Sequence, residues 1–185
     1  MDIKKYLEIL IKPTSEAGGG SVVALNGALA SALIMKAYNM IEKKQKYSLN
    51  KKFYEELDEL KSYFNRMIKE DGESFTKVLD AYKLPKTNQE QIDHRNAQIQ
   101  EGYKIAAKSP LNMIINFEKL YYHIIDIRKY SDPMIDTELD IAINQIISGI
   151  KSAEVNLKIN IKYIKDDEFN SKLLDELNRI KENIL

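Results

Sequence analysis

The chain has 185 residues, a length that suits one compact domain spanning 1–185 and argues against two full domains. Its 28 Lys and Arg balance its 28 Asp and Glu, so no overall field draws it to nucleic acid or an anionic membrane, and any ligand must be held by a local site. Cysteine is absent, which removes disulfides, thiolate metal ligands and thiol nucleophiles, and fits a reducing cytoplasm.

The N-terminus, Met1 to Tyr6, leads into an amphipathic stretch and lacks the apolar run of a secretory signal. Ile3, Tyr6, Leu7, Leu10 and Ile11 predict a short first helix that Pro13 ends, and a second helix is expected from about Ser21 to about Lys44. Val22 to Met35 is apolar but shorter than the roughly 20 residues a membrane span needs, and it contains Asn26 and Ser31. It reads as a buried central helix rich in alanine, with Ala24, Gly27, Ala28, Ser31 and Ala32 allowing neighbours to approach closely. The third helix is expected from about Lys51 to Tyr82, stopped by Leu84-Pro85-Lys86, and the fourth from about Asn88 to Ala107. A fifth begins at Ser109-Pro110, where proline suits a first turn, and runs to about Tyr130. Ser131-Asp132-Pro133 breaks the chain; a sixth helix spans about Thr137 to Ile164, and a last one carries Phe169, Leu173, Leu177, Ile180 and Ile184 on one face. The pattern predicts an all-α, single-domain bundle of six to seven helices, with no strand.

Gly18-Gly19-Gly20-Ser21 sits just before the second helix. Backbone N–H groups there can meet an anion or a carbonyl oxygen, although a flexible loop with Ser21 as the N-cap accounts for the same residues. The turn lacks the lysine of a phosphate-binding loop and follows no strand, which disfavours nucleotide binding. Asp71 falls on the apolar stripe of the third helix, four residues after Met67 and four before Phe75. A desolvated carboxylate there has the raised proton affinity of a general acid/base, unless Asp71 caps a new turn after Glu70 and before Gly72. Lys86 and Arg95 could reach a shared mouth and meet an anionic tail, or remain solvated surface charges. Asn156 and Asn160 are four apart on the sixth helix; they can read a ligand's donors and acceptors or bridge two helices. His94 and His123, the two histidines, are not spaced as a metal pair, so no metal is expected. The tyrosines form no basic-aromatic surface pattern and are read as packing residues.

Pro13, Gly18-Gly19-Gly20-Ser21 with the helix after it, Asp71, Phe75, Val78, Ala81, Leu84-Pro85-Lys86, Arg95, Asn156 and Asn160, taken in order, resemble the formiminotetrahydrofolate cyclodeaminase/methenyltetrahydrofolate cyclohydrolase family over roughly Leu10 to Asp166. The family usually has a proline where this chain has Ala17, and its Ser-Asp pair before the long helix corresponds here to Ser131-Asp132 or Thr137-Glu138, which leaves Asp132 or Glu138 as the second carboxylate. The resemblance implies a homodimer and an enzyme acting on tetrahydrofolate derivatives without a further cofactor. It implies cyclodeaminase or, alternatively, cyclohydrolase activity, with Asp71 catalytic and the glycine turn, Lys86, Arg95, Asn156 and Asn160 binding substrate. A non-catalytic folate-binding or interaction module on the same scaffold is the alternative of another class.

Overall fold

The computed structural model describes residues 2–13, 17–45 and 51–185, the side chains of 45 and 71–74 excepted. The described elements are seven helices: α1 (Ile3–Leu10), α2 (Gly19–Gln45), α3 (Lys51–Ser74), α4 (Thr76–Lys83), α5 (Gln89–Arg128), α6 (Pro133–Ile161) and α7 (Asp167–Ile184). Four begin on a side-chain cap, where an amide or carboxylate oxygen accepts from N–H groups that the first turn leaves unpaired. Asp2 caps α1, Asn88 caps α5, Asp132 caps α6 and Asp166 caps α7.

Three boundaries differ from those the periodicity predicts. The expected third helix divides at Phe75 into α3 and α4. Gly72, one turn earlier, weakens helix continuity by about 1 kcal/mol relative to alanine. The expected fourth and fifth helices are one rod, α5, with Pro110 inside it. Proline has no N–H to give the carbonyl four residues back, and that carbonyl, Ala106 O, is taken instead by Asn160 Nδ2 from α6 at 3.2 Å. The sixth helix starts at Pro133, on the Asp132 cap, rather than at Thr137, and ends at Ile161.

α2 runs through the middle of the bundle against α3, α5 and α6. At 27 residues it is long and apolar enough to cross a membrane, but more than half of its apolar window is buried inside this protein. That burial marks a core helix. Two glycines set the closest approaches. A Cβ on Gly27 would lie 2.2 Å from the ring of Phe64, and one on Gly149 would lie 2.1 Å from the ring of Phe117. Both rings are fully buried and touch each other, centroid to centroid 4.7 Å. Burying each ring contributes about 1.5–3 kcal/mol, so this seam is a main source of the fold's stability.

The same contacts fix the registers. Gly27 under Phe64 and Tyr38 stacked on Phe53 make α2 and α3 antiparallel and bring the last turn of α3, which holds Asp71, level with Gly20. Asn26 to Ser148 and Lys36 to Glu138 make α2 and α6 antiparallel, and Gly19 meets Asn156. α7 is strapped on by Arg179, which binds the buried Glu118 of α5 through two hydrogen bonds of 2.7 and 2.8 Å.

Candidate active site

One end of the bundle brings together Gly19, Asn156 and, by register, the last turn of α3. α2 starts at Gly19, two residues before Ser21, so Ser21 lies inside the first turn and is not an N-cap. Its hydroxyl is buried and shares a 2.5 Å hydrogen bond with the hydroxyl of Tyr6, which ties α1 to the turn. Gly18 is exposed, and among the described residues a Cβ there would have nothing within 4 Å. The Asn156 amide lies over Gly19, its Oδ1 3.6 Å from where a Cβ would stand. Neither glycine holds a positive φ. Space inside the chain and backbone handedness therefore leave both positions open to larger residues.

Asn160 sits one turn beyond Asn156 and spends its amide protons on backbone, on Ala106 O at 3.2 Å and on Asn156 O at 3.0 Å. Only its carbonyl oxygen remains to read a ligand. Ser109, beside Pro110, has a buried Oγ with no hydrogen-bond partner among the described residues, and the register of Phe117 on Phe64 and His123 by Glu56 sets it level with the last turn of α3. The Asp71 side chain itself lies outside the described residues.

Beyond Asn160 the site continues into a group of rings that sequence reasoning treated as packing. Tyr163 stacks on Tyr103 with centroids 4.8 Å apart and planes 16° apart. The Tyr103 hydroxyl is 3.5 Å from that of Tyr82, and burial first, then the hydrogen bond to Tyr82, pushes its pKa up to about 12. Arg95 donates to Tyr82 O at 3.3 and 3.4 Å and lies 5.3 Å from the centre of its ring. Arg95 thus closes the C-terminus of α4 and keeps a cation at the edge of this group. Lys86 is exposed on the link between α4 and α5. The one signal available in the sequence was spacing, since Tyr163 follows Asn160 by three and Tyr82 follows Phe75 by seven.

The two candidates for a second carboxylate lie elsewhere. Asp132 caps α6 and pairs with Lys44, and that hydrogen bond, with those from the Ile135 and Met134 amides, holds its pKa below the ordinary aspartate value. Glu138 pairs with Lys36 at 2.6 Å. Along α6 they stand about 36 and about 27 Å from Asn156, at 1.5 Å per residue, so neither shares a cleft with the glycine turn of its own chain. Among the described residues no cluster of His, Asp and Glu is placed to hold a metal ion.

Among the described residues, a helical bundle with a glycine turn feeding its central helix, and Asn156 against that turn, defines a class. The family model described as formiminotransferase-cyclodeaminase matches residues 2–179, and the chain belongs to that family. The methenyltetrahydrofolate cyclohydrolase of Methylorubrum extorquens is 29% identical over 183 residues, 95% of this chain and 86% of its own length. The formimidoyltransferase-cyclodeaminase of Rattus norvegicus is 26% identical over 159 residues, 84% of this chain, and the chain spans 29% of that protein. The crystal structure of formiminotetrahydrofolate cyclodeaminase from Thermotoga maritima superposes with a TM-score of 0.79 at 23% identity, over all of this chain and 90% of that one, which shows the shared fold.

Proposed function

We propose that this chain is a folate one-carbon enzyme, a formiminotetrahydrofolate cyclodeaminase whose site lies where the start of α2, the end of α3 and Asn156 meet. The observation that carries the reading is the register: Gly19 against Asn156, with the last turn of α3, bearing Asp71, at the same level. In 5-formiminotetrahydrofolate, N10 attacks the formimino carbon, ammonia leaves, and 5,10-methenyltetrahydrofolate forms. Starting from the protonated formimino group, =NH2+, the attacking N10 loses a proton and the departing nitrogen gains one, leaving as NH3 and the methenyl cation. Asp71 takes the first proton and returns it to the leaving group, so a single carboxylate serves as base and then acid. The turn's N–H groups and the free face of Gly18 orient the pterin ring, and Lys86 and Arg95 meet the glutamate carboxylates. Nothing in this sequence of steps needs a cofactor beyond the folate.

A second reading, methenyltetrahydrofolate cyclohydrolase, is favoured by the Methylorubrum extorquens relative, which matches this chain over most of its own length. There Asp71 activates water against the methenyl carbon. Supplying each substrate in turn and following the methenyl absorbance separates the two, because the band grows in one reaction and fades in the other. Asp71→Asn is expected to lower turnover about a hundredfold or more with the helical content unchanged. Undiminished turnover would remove Asp71 from the mechanism, and binding of reduced folates without any turnover would make the chain a binding module. We also infer a homodimer, supported by the exposed apolar side chains Leu29, Ile141 and Val155 along α2 and α6 and checked by light scattering in solution, and a cytoplasmic location, supported by the absence of cysteine.

A further inference from the structure

The reaction above leaves the tyrosines beyond Asn160 without a task. Tyr163 closes the turn that ends α6, its N–H donating to Asn160 O at 3.1 Å. One face of its ring is covered by Tyr103, yet the residue stays 51% exposed, so the other side faces water. Its backbone is held from both directions by one side chain. Gln100 Nε2 donates to Tyr163 O at 2.9 Å, and Gln100 Oε1 accepts from Lys165 N at 2.8 Å. An aromatic ring backed on one face, with its backbone fixed, and open on the other is well suited to binding, since little freedom is lost when a second ring settles on it. Asn160 and Asn156 precede it along α6, and behind it Tyr103 reaches Tyr82, hydroxyl to hydroxyl 3.5 Å, with Arg95 over the Tyr82 ring.

We propose that Tyr163, backed by Tyr103 and braced by Gln100, is the stacking surface for the aminobenzoyl ring in the middle of the folate substrate, between the pterin at the glycine turn and the glutamate at Arg95. This rests on the folate reading. The Tyr103 hydroxyl, like any tyrosine's, is neutral at pH 7, and burial pushes its pKa further up, so the surface beneath the ring carries no charge.

Steady-state kinetics and calorimetry with the tetrahydrofolate substrate test it, alongside inhibition by a tetrahydropterin fragment that lacks the aminobenzoylglutamate. Tyr163→Ala is expected to raise KM and Kd for the whole folate about tenfold, in the range for loss of one stacked ring, with kcat within about twofold. Inhibition by the fragment should be unchanged, and Tyr163→Phe should behave as the wild type. Tyr163→Leu, which keeps bulk without a ring, should resemble the alanine variant, and covers the case in which alanine disturbs the end of α6. An unchanged KM in both ring-less variants, or equal weakening of the fragment and the whole folate, overturns the proposal. Wild-type protein that neither turns over nor binds any reduced folate overturns the folate reading and this inference with it; wild-type turnover with unaffected variants overturns this inference alone.

Discussion

Glycines do opposite things at the middle of the bundle and at its open end. Gly27 and Gly149 leave room for Phe64 and Phe117, and any side chain there would run into a ring. Gly18 and Gly19, at the start of α2, have no such neighbour among the described residues, the nearest described side chain being the Asn156 amide at ordinary contact distance. The first pair is explained by the interior of the protein. The second pair is left to be explained by something outside it, and close approach of a ligand to bare backbone is the physical use of glycine that remains.

The contrast can be broken in four places. Gly149→Ala should cost about 3 kcal/mol, at the upper end for overpacking, because Phe117 is fully buried against Phe64 and has nowhere to go; melting should fall by roughly 6–12 °C. Gly18→Ala should leave the melting temperature within a degree or two while lowering kcat/KM about tenfold, since the new methyl group stands where substrate approaches. A melting point that drops as far as in Gly149→Ala would erase the distinction between the two regions. Asn160→Ala should cost about 1 kcal/mol in the wild-type background and markedly less beside Pro110→Ala, which restores an N–H for Ala106 O; a double-mutant cycle measures that coupling, and strictly additive effects would refute it. The smallest effect belongs to His123, at the end of the bundle far from the turn. Burial lowers its pKa below 6.5, against the opposing pull of Glu56 and Asp126. The folded state therefore favours the neutral ring, its contribution is complete above pH 6.5, and it fades as pH falls through the lowered folded value. Wild-type melting should decline more steeply than that of His123→Gln on this acid side, with turnover indifferent to the substitution.

Helical class and most helix positions were legible because apolar residues recur at helical intervals from Ile3 to Ile184, a local signal that packing then obeys. The continuity of α5 was not legible. Pro110 argues locally for a break, and the group that compensates it, Asn160, is fifty residues away in sequence. The site was legible in its parts and less so in its assembly. Gly18-Gly19-Gly20 and Asn156 stood out as residue types out of place, and the register brings Gly19 and Asn156 together. Tyr163 did not stand out, because a tyrosine becomes informative only when one face is seen to be covered and the other bare. Asp132 and Glu138 looked equivalent as second acids until the length of α6 set both far from the turn.

The hydrogen bond between Tyr6 and Ser21 gives the short first helix an influence out of proportion to its size. Tyr6 is the residue α1 buries, with Leu10 partly buried against the core, while Ile3, Leu7 and Ile11 project outward, so the buried anchor of α1 is the residue that meets the glycine turn. Whatever tugs on α1 tugs on the turn. An affinity tag or fluorescent fusion attached ahead of Met1 is therefore expected to disturb the turn, and comparing KM before and after its removal checks this.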